Sequence, residues 1–225
     1  MCGRVSQFNA LRRFPKGAAR APEKAGPRRN VTPGTPLLAL RKNAAATLCS
    51  HWLHWGLRTA HRQLANARAE SVGDNPLFHT ALERGRCVVP VDGFYEWHRE
   101  GNSRQPWFFY PAAAEEMLFL AAIGQPHDPP VPTVCLLTTA ANDVMAPVHH
   151  RMPVLLNRAG LDRWLSSAPF SLAELRAFTA PAPENWLRKH PISPAINRAD
   201  APESPDLSAP WTPPFTQGEL LGSEE

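Results

Sequence analysis

Short apolar runs joined by very short connections fill the middle of the chain, between Arg86 and Leu156. Connections of this length leave no room for the crossover that parallel neighbours need, so the pattern predicts mainly antiparallel pairing. One turn is expected at Asp92-Gly93 and another at Gly101-Asn102-Ser103. The predicted strands are Cys87–Val91, Phe94–Trp97, Trp107–Tyr110, Met117–Ile123 and Thr133–Thr139, and a separate apolar run begins at Leu37 and extends to Leu40.

Two helices are predicted after these strands. One surrounds Leu161–Leu165, and the other begins at Ser171, where Ser171 and Glu174 have the spacing of a capping box. Strands followed by helices indicate an α+β fold, with a curved, mainly antiparallel, barrel-like β-sheet core and flanking helices. We expect one domain over residues 1–198, and a poorly ordered tail over residues 199–225, which are rich in Pro, Ser, Asp and Glu.

Composition excludes several classes of protein. No apolar run approaches the roughly 20 residues of a membrane-spanning helix, and the first residues lack the pattern of a signal peptide, so a cytoplasmic protein is expected. Neither the histidines nor the cysteines have the close spacing of a metal site, and no cofactor is expected. Cys49, Cys87 and Cys135 are predicted to be buried, unreactive thiols. The net charge of +4 fits an anionic partner, although a GC-rich genome explains the same composition.

Cys2 has the most distinctive chemistry in the chain. Aminopeptidases remove an initiator Met when the next side chain is small, and the mature chain then carries an amine and a thiol on Cys2. An α-amine with a pKa of about 7.7 to 8.0 is partly unprotonated at neutral pH and can attack a carbonyl. The thiol can then close the resulting Schiff base into a five-membered thiazolidine. A Cys after Met is common, and position alone does not establish this function.

Further motifs follow Cys2 along the chain. They are Met1-Cys-Gly-Arg4, Asn30-Val-Thr-Pro-Gly-Thr35, Trp55-Gly56, Asn66-Ala-Arg-Ala-Glu70, Arg86-Cys-Val-Val-Pro-Val-Asp-Gly-Phe-Tyr-Glu-Trp97, Val148-His-His-Arg-Met-Pro153 and Ile192-Ser-Pro-Ala-Ile-Asn197. In this order they resemble the motifs of the SOS-response-associated peptidase family, over residues 2 to about 197. In that family the fifth motif is a strand pair. The chain departs from the family between Leu57 and Ala65, where Arg58, His61 and Arg62 are expected to replace aromatic stacking with charge.

The resemblance implies a function. The family processes abasic sites, so the chain is expected to recognise abasic sites in single-stranded DNA and to form a covalent crosslink, a thiazolidine, through Cys2. The resemblance places this activity in the DNA damage and SOS responses, with abasic single-stranded DNA as the partner and association with the nucleoid when DNA is bound. A monomer is expected. The peptidase name fits removal of Met1, by the chain itself or by an aminopeptidase, and a Schiff base also permits a weak lyase activity.

The resemblance also implies which residues form the site. Cys2 is the nucleophile, His149 promotes opening of the sugar ring, and Glu96 moves protons while the thiazolidine closes. Asn66 orients the sugar or the amine by hydrogen bonding. The residues expected to bind DNA phosphates are Arg4, Asn30, Arg68 and Arg151.

Alternatives exist for the site and for the function. Glu96 has a structural alternative, as a carboxylate that forms a salt bridge with Arg68. His150 is a second histidine beside His149, and the family motif assigns the role to His149. An N-terminal-nucleophile amidohydrolase, which also begins Met-Cys-Gly, would use the Cys2 thiolate on an amide. A non-covalent single-stranded DNA-binding module would leave Cys2 without a role.

Overall fold

The computed structural model describes residues 2–10, 26–59, 62–113, 116–125 and 132–212. The expectations for Met1, for His61 and for residues 213–225 therefore concern residues outside the described ones. Within these ranges, no helix is both long enough and apolar enough to cross a bilayer.

The described residues form two main sheets, one small hairpin and four short helices. The strands are β1 (Arg4–Gln7), β2 (Arg28–Val31), β3 (Pro36–Lys42), β4 (Leu48–Trp55), β5 (Leu57–Arg58), β6 (Gln63–Leu64), β7 (Asn66–Arg68), β8 (Arg86–Val91), β9 (Gly93–Glu100), β10 (Ser103–Pro111), β11 (Leu118–Gln125), β12 (Thr133–Ala140), β13 (Arg151–Pro153), β14 (Leu155–Leu156) and β15 (Leu187–Pro191). The helices are α1 (Ala69–Val72), α2 (Pro76–Arg84), α3 (Arg158–Trp164) and α4 (Leu172–Phe178), with 3-10 turns at Glu184–Trp186, Pro194–Asn197 and Pro205–Leu207.

The larger sheet curls until five of its strands pair in a closed ring. The order is β12, β4, β3, β8 and β11, and β11 returns to β12. Among the described pairs, the parallel ones join β12 to β4 and β12 to β7. The second sheet has the order β15, β10, β9, β1, β2 and is antiparallel throughout. These findings confirm the predicted α+β fold with a curved, mainly antiparallel sheet.

Strands β8, β11 and β12 of the ring are largely apolar because both of their faces are buried. In β8, Cys87, Val89 and Val91 point into the core between the two sheets, whereas Val88 points to the side that the helices cover. The indole of Trp164 on α3 seals that side and donates a hydrogen bond to the Cys87 carbonyl at 2.9 Å. Burial on two faces explains why these strands read as continuous apolar runs.

The predicted helices, α3 and α4, are present, and two further helices, α1 and α2, precede them. Ser171 accepts from the backbone of Glu174 while the Glu174 side chain accepts from Ser171, which confirms the capping box. Helix α2 was not predicted, although its signals are in the sequence. Asn75 caps it by accepting from Leu77, Pro76 is the first helical residue, and Gly85 follows its end.

The expected strand pair around Asp92 is wrong, because β8 and β9 belong to different sheets. The chain crosses between the sheets at Asp92, whose carboxylate accepts hydrogen bonds from Ser6 Oγ and from the backbone N–H groups of residues 8–10. A Cβ at Gly93 would collide with the Phe109 carbonyl oxygen, so the strand that follows needs glycine at its first position. Asp92 is a junction between sheets and not the tip of a hairpin.

The first part of the predicted tail packs against the second sheet. Leu207 is buried with Tyr95 and Ile196 on the outer face of that sheet. The backbone N–H of Trp211 donates to the Pro191 carbonyl at 3.0 Å. The boundary at residue 199 was set by composition, and it missed the burial that a few apolar residues give to a Pro-rich segment.

Candidate active site

Strand β1 places Cys2, which precedes it, in the core between the two sheets. Its backbone pairs with β9 on one side and with β2 on the other. The buried side chain of Gln7 ties the same strand to the ring, because Nε2 donates to the carbonyls of Leu38 and Pro90, both at 2.9 Å, and Oε1 accepts from Leu38 N–H at 3.0 Å. Cys2 is thus held by a strand that is fixed to both sheets.

Cys2 is completely buried, with 0% of its surface exposed. Asn66, the first residue of β7, donates from Nδ2 to the Cys2 carbonyl at 2.8 Å. The Asn66 Oδ1 atom is buried without a hydrogen-bond partner in the described part of the protein, so it is an acceptor available to a ligand. Burial, reinforced by the charge of Glu96, raises the pKa of the Cys2 thiol far above its usual value, and the thiol is protonated at neutral pH.

Glu96 lies on the face of β9 that points into this core and is only 3% exposed. Its negative charge acts on the Cys2 thiol and also on the ring of His149, so the three groups form one electrostatic cluster. Burial lowers the pKa of His149, and Glu96 opposes that shift. His149 Nδ1 lies 2.9 Å from the backbone nitrogen of Arg151 and 3.2 Å from the Arg151 carbonyl oxygen. When Nδ1 carries the proton of the neutral ring and donates to that carbonyl, the lone pair of Nε2 is free to accept a proton.

The fold brings together the four predicted catalytic residues from distant parts of the chain. Cys2 precedes β1, Asn66 begins β7, Glu96 is in β9, and His149 lies just before β13. A nucleophile beside a buried carboxylate and a largely neutral imidazole can attack a carbonyl carbon and exchange protons with it. Among the described residues, no three His, Cys, Asp or Glu side chains gather in a way that could hold a metal ion.

Two of the predicted phosphate-binding residues, Arg4 and Asn30, are bonded within the protein. The Arg4 guanidinium donates to Asn30 Oδ1 at 3.0 Å and to the carbonyls of Ile196, Asn197 and Arg198. Asn30 Nδ2 donates to the Arg198 carbonyl at 2.9 Å. These bonds join β1 and β2 to the 3-10 turn near the C-terminus, which is a structural use of both side chains.

Arg151 is also anchored. It makes a bidentate pair with Glu70, at 2.6 and 2.9 Å, and donates to the Thr138 carbonyl at 2.6 Å. The hydrogen bond from Arg151 lowers the pKa of the Glu70 carboxyl. Glu70 and Thr138 were not singled out in the sequence, although Glu70 closes the motif that contains Asn66. By placing the Arg151 backbone, this pair also places the backbone atoms beside His149 Nδ1.

Arg68 differs from these residues because its side chain is exposed. It makes no side-chain hydrogen bond or ion pair with the described residues, and no ion pair joins it to Glu96. The structural alternative for Glu96, a salt bridge with Arg68, is therefore not observed. Of the other cysteines, Cys87 and Cys135 are buried as predicted, whereas Cys49 is partly exposed.

Comparison with known proteins gives the family of this chain. The abasic site processing protein YoaM of Bacillus subtilis is 26% identical over 218 residues, which cover 88% of this chain and 93% of that protein. The abasic site processing protein YedK of Escherichia coli is 28% identical over 217 residues, 87% of this chain and 94% of that protein. A solved structure from Bacteroides thetaiotaomicron has the same fold, with a TM-score of 0.75 at 18% identity over 92% of this chain and 97% of that one. Residues 1–199 match the sequence profile of SOS response associated peptidase, and the chain belongs to that family, SRAP.

Proposed function

We propose that the protein recognises abasic sites in single-stranded DNA and bonds to them covalently through the amine and thiol of Cys2. The observation that carries this proposal is the buried cluster of Cys2, Glu96 and His149, in which the Cys2 thiol lies beside two proton-transfer groups. Removal of Met1 turns Cys2 into a 1,2-aminothiol. The names of the relatives, which are abasic site processing proteins, support the same substrate.

Ring opening of the sugar comes first, because a closed abasic deoxyribose has no aldehyde. Neutral His149 takes the proton of the hydroxyl on the anomeric carbon while the bond from that carbon to the ring oxygen breaks, and the ring oxygen gains a proton. Burial lowers the pKa of His149, so the neutral, basic form is present at physiological pH. Asn66 Oδ1, which is buried without a partner among the described residues, can accept a hydrogen bond from the sugar or the amine.

The covalent step uses both groups of Cys2. The nitrogen of Cys2 is an amide until Met1 is removed, by an aminopeptidase or by the protein itself, and only then can it attack. The amine adds to the aldehyde and water leaves, which gives a Schiff base. The thiol then adds to the same carbon, and its proton ends on the nitrogen of the thiazolidine. Because the pKa of the thiol is raised, a base must take its proton as the carbon-sulfur bond forms, and Glu96 is that base. The Schiff base also gives a weak lyase route.

Cations near Asn66 bind the DNA backbone in this proposal. Arg68 lies two residues after Asn66, and Arg58 on β5 and Arg62 beside β6 are also exposed. None of the three side chains has a hydrogen bond or an ion pair with described residues. Such side chains can bind phosphates and position the strand without contacting its bases.

Replacing Arg68 by Ala should weaken the reversible binding of undamaged single-stranded DNA and make it less sensitive to salt. Loss of one phosphate contact reduces the slope of log affinity against log salt by about 0.7. The measurement is a titration of labelled oligonucleotide at several salt concentrations. Arg176→Ala is the matched control, because Arg176 is exposed on α4 and pairs with Asp74. Equal slopes for wild type and Arg68→Ala would remove Arg68 from the phosphate-binding set.

The experiment that tests the function is intact mass spectrometry of the purified protein. The protein is incubated with a single-stranded oligonucleotide that contains one abasic site, or with an undamaged oligonucleotide of the same sequence. We expect a protein without Met1 that gains the mass of the abasic oligonucleotide less one water, and no gain with the control. A protein that lacks Met1 and forms no adduct would contradict the proposal, and glutamine hydrolysis would then be assayed.

A further inference from the structure

Two stacked imidazole rings lie at the site, and the proposed function uses only one of them. The ring centroids of His149 and His150 are 4.4 Å apart, and the ring planes differ by 21°. His149 is partly buried, whereas His150 is exposed. His150 therefore covers one face of the His149 ring and separates that face from solvent.

The His149 ring is also held at its edge. His149 Nδ1 lies 2.9 Å from the backbone nitrogen of Arg151 and 3.2 Å from the Arg151 carbonyl oxygen, so the Arg151 backbone occupies this nitrogen. Arg151 itself is fixed by Glu70 and by the Thr138 carbonyl. A neighbour stacked on the face and the Arg151 backbone at the edge together restrict rotation of the ring. Nε2 is left as the nitrogen that exchanges protons.

Opposing charges act on the same ring. Burial lowers the pKa of His149, Glu96 raises it, and the positive charges of the N-terminal amine and of His150 lower it. A positive charge on His150, whose ring centroid is 4.4 Å from that of His149, therefore opposes protonation of His149.

We propose that His150 is a positioning residue, which stacks on His149 and holds its ring in the orientation that the chemistry at the sugar needs. His150 acts through His149 and not on the sugar. The inference rests on the proposed function, in which neutral His149 is the base that opens the sugar ring. It predicts that the stacking and the charge of His150 can be separated by substitution.

Two variants separate the stacking of His150 from its charge. His150→Phe keeps a ring over His149 and removes the charge, whereas His150→Ala removes both. In both variants the pKa of His149, followed by NMR titration of its ring, should rise, because a nearby positive charge has been removed. At a pH where His149 is neutral, His150→Phe should crosslink abasic DNA within about twofold of the wild-type rate. His150→Ala should be slower by roughly tenfold, since the base is no longer held in place.

His79→Ala serves as the control, because His79 is exposed on α2, away from this pair. An unchanged His149 titration in both His150 variants, with crosslinking rates equal to wild type, would overturn the inference. Failure of the proposed function is a separate result, because wild-type protein would then form no adduct at any pH. The NMR titration would still show whether His150 controls the protonation of His149.

Discussion

Cys2→Ala should form no adduct that survives denaturation, whereas its reversible affinity for single-stranded DNA should stay close to that of wild type. After removal of Met1 the variant still has an α-amine, so it can form a Schiff base, but it has no thiol to close the thiazolidine. A Schiff base hydrolyses when the complex is denatured, and the expected yield is at background. Denaturing electrophoresis and intact mass spectrometry measure the yield, and titration of an undamaged oligonucleotide measures the affinity.

Two further variants complete this test. Cys2→Ser should give a Schiff base that borohydride traps and that is lost without the reductant. Cys49→Ala should crosslink like wild type, because Cys49 is in β4 and only partly exposed, outside the cluster of Cys2, Glu96 and His149. Adducts at the wild-type yield in Cys2→Ala would exclude the N-terminal mechanism.

Glu96→Gln should slow crosslinking by about 10²- to 10⁴-fold, the range for loss of a general acid-base group. The substitution keeps the size of the side chain and removes its charge and basicity. Whether the crosslinking rate falls or rises is informative, because Glu96 raises the pKa of the Cys2 thiol. If Glu96 acted only through its charge, removing it would favour the thiolate and accelerate ring closure. Single-turnover rates over a range of pH distinguish a Glu96 that acts as a base from one that acts only through its charge.

The same variant has a second expected effect, on His149. Glu96 raises the pKa of His149, so Glu96→Gln should lower it further, which is opposite to the effect expected for the His150 variants. Glu100→Gln is the matched control, because Glu100 is on the same strand and exposed. A thermal unfolding curve close to that of wild type is required, since Glu96 is buried. Crosslinking at the wild-type rate in Glu96→Gln would exclude Glu96 as the base.

Several of the predicted strands are buried on both faces. Strands β8, β11 and β12 are continuous apolar runs because one face meets the core between the sheets and the other meets the helices. Strand β4 was missed, since its histidines and Trp52 are partly exposed and break the pattern. Strands β1 and β15 are short and contain polar residues, such as Gln7 and Arg188, that only their partners explain. Local periodicity does not report pairing with distant strands.

The site shows a similar division. Motifs singled out Cys2, Glu96 and His149 as residue types that carry chemistry, and the fold brings these three residues together. The roles of the arginines were harder to predict from the sequence, because a guanidinium uses the same donors for a phosphate as for a carbonyl group. Arg4 binds carbonyls of the turn at Pro194–Asn197, and Arg151 binds Glu70. The partners of Arg4 are backbone atoms far away along the chain, which no local pattern shows.

The pairing of β1 on both sides determines how durable the proposed adduct can be. Chain termini usually fray, and a ligand attached to a fraying end is exposed to proteases by local opening. Here the proposed attachment residue, Cys2, is buried just before a strand that pairs on both sides, and Gln7 joins that strand to the ring. A protease that needs an unfolded segment must therefore wait for cooperative unfolding of the domain. For the proposed adduct, we therefore expect the lifetime of the crosslinked protein on DNA to follow the global stability of the domain.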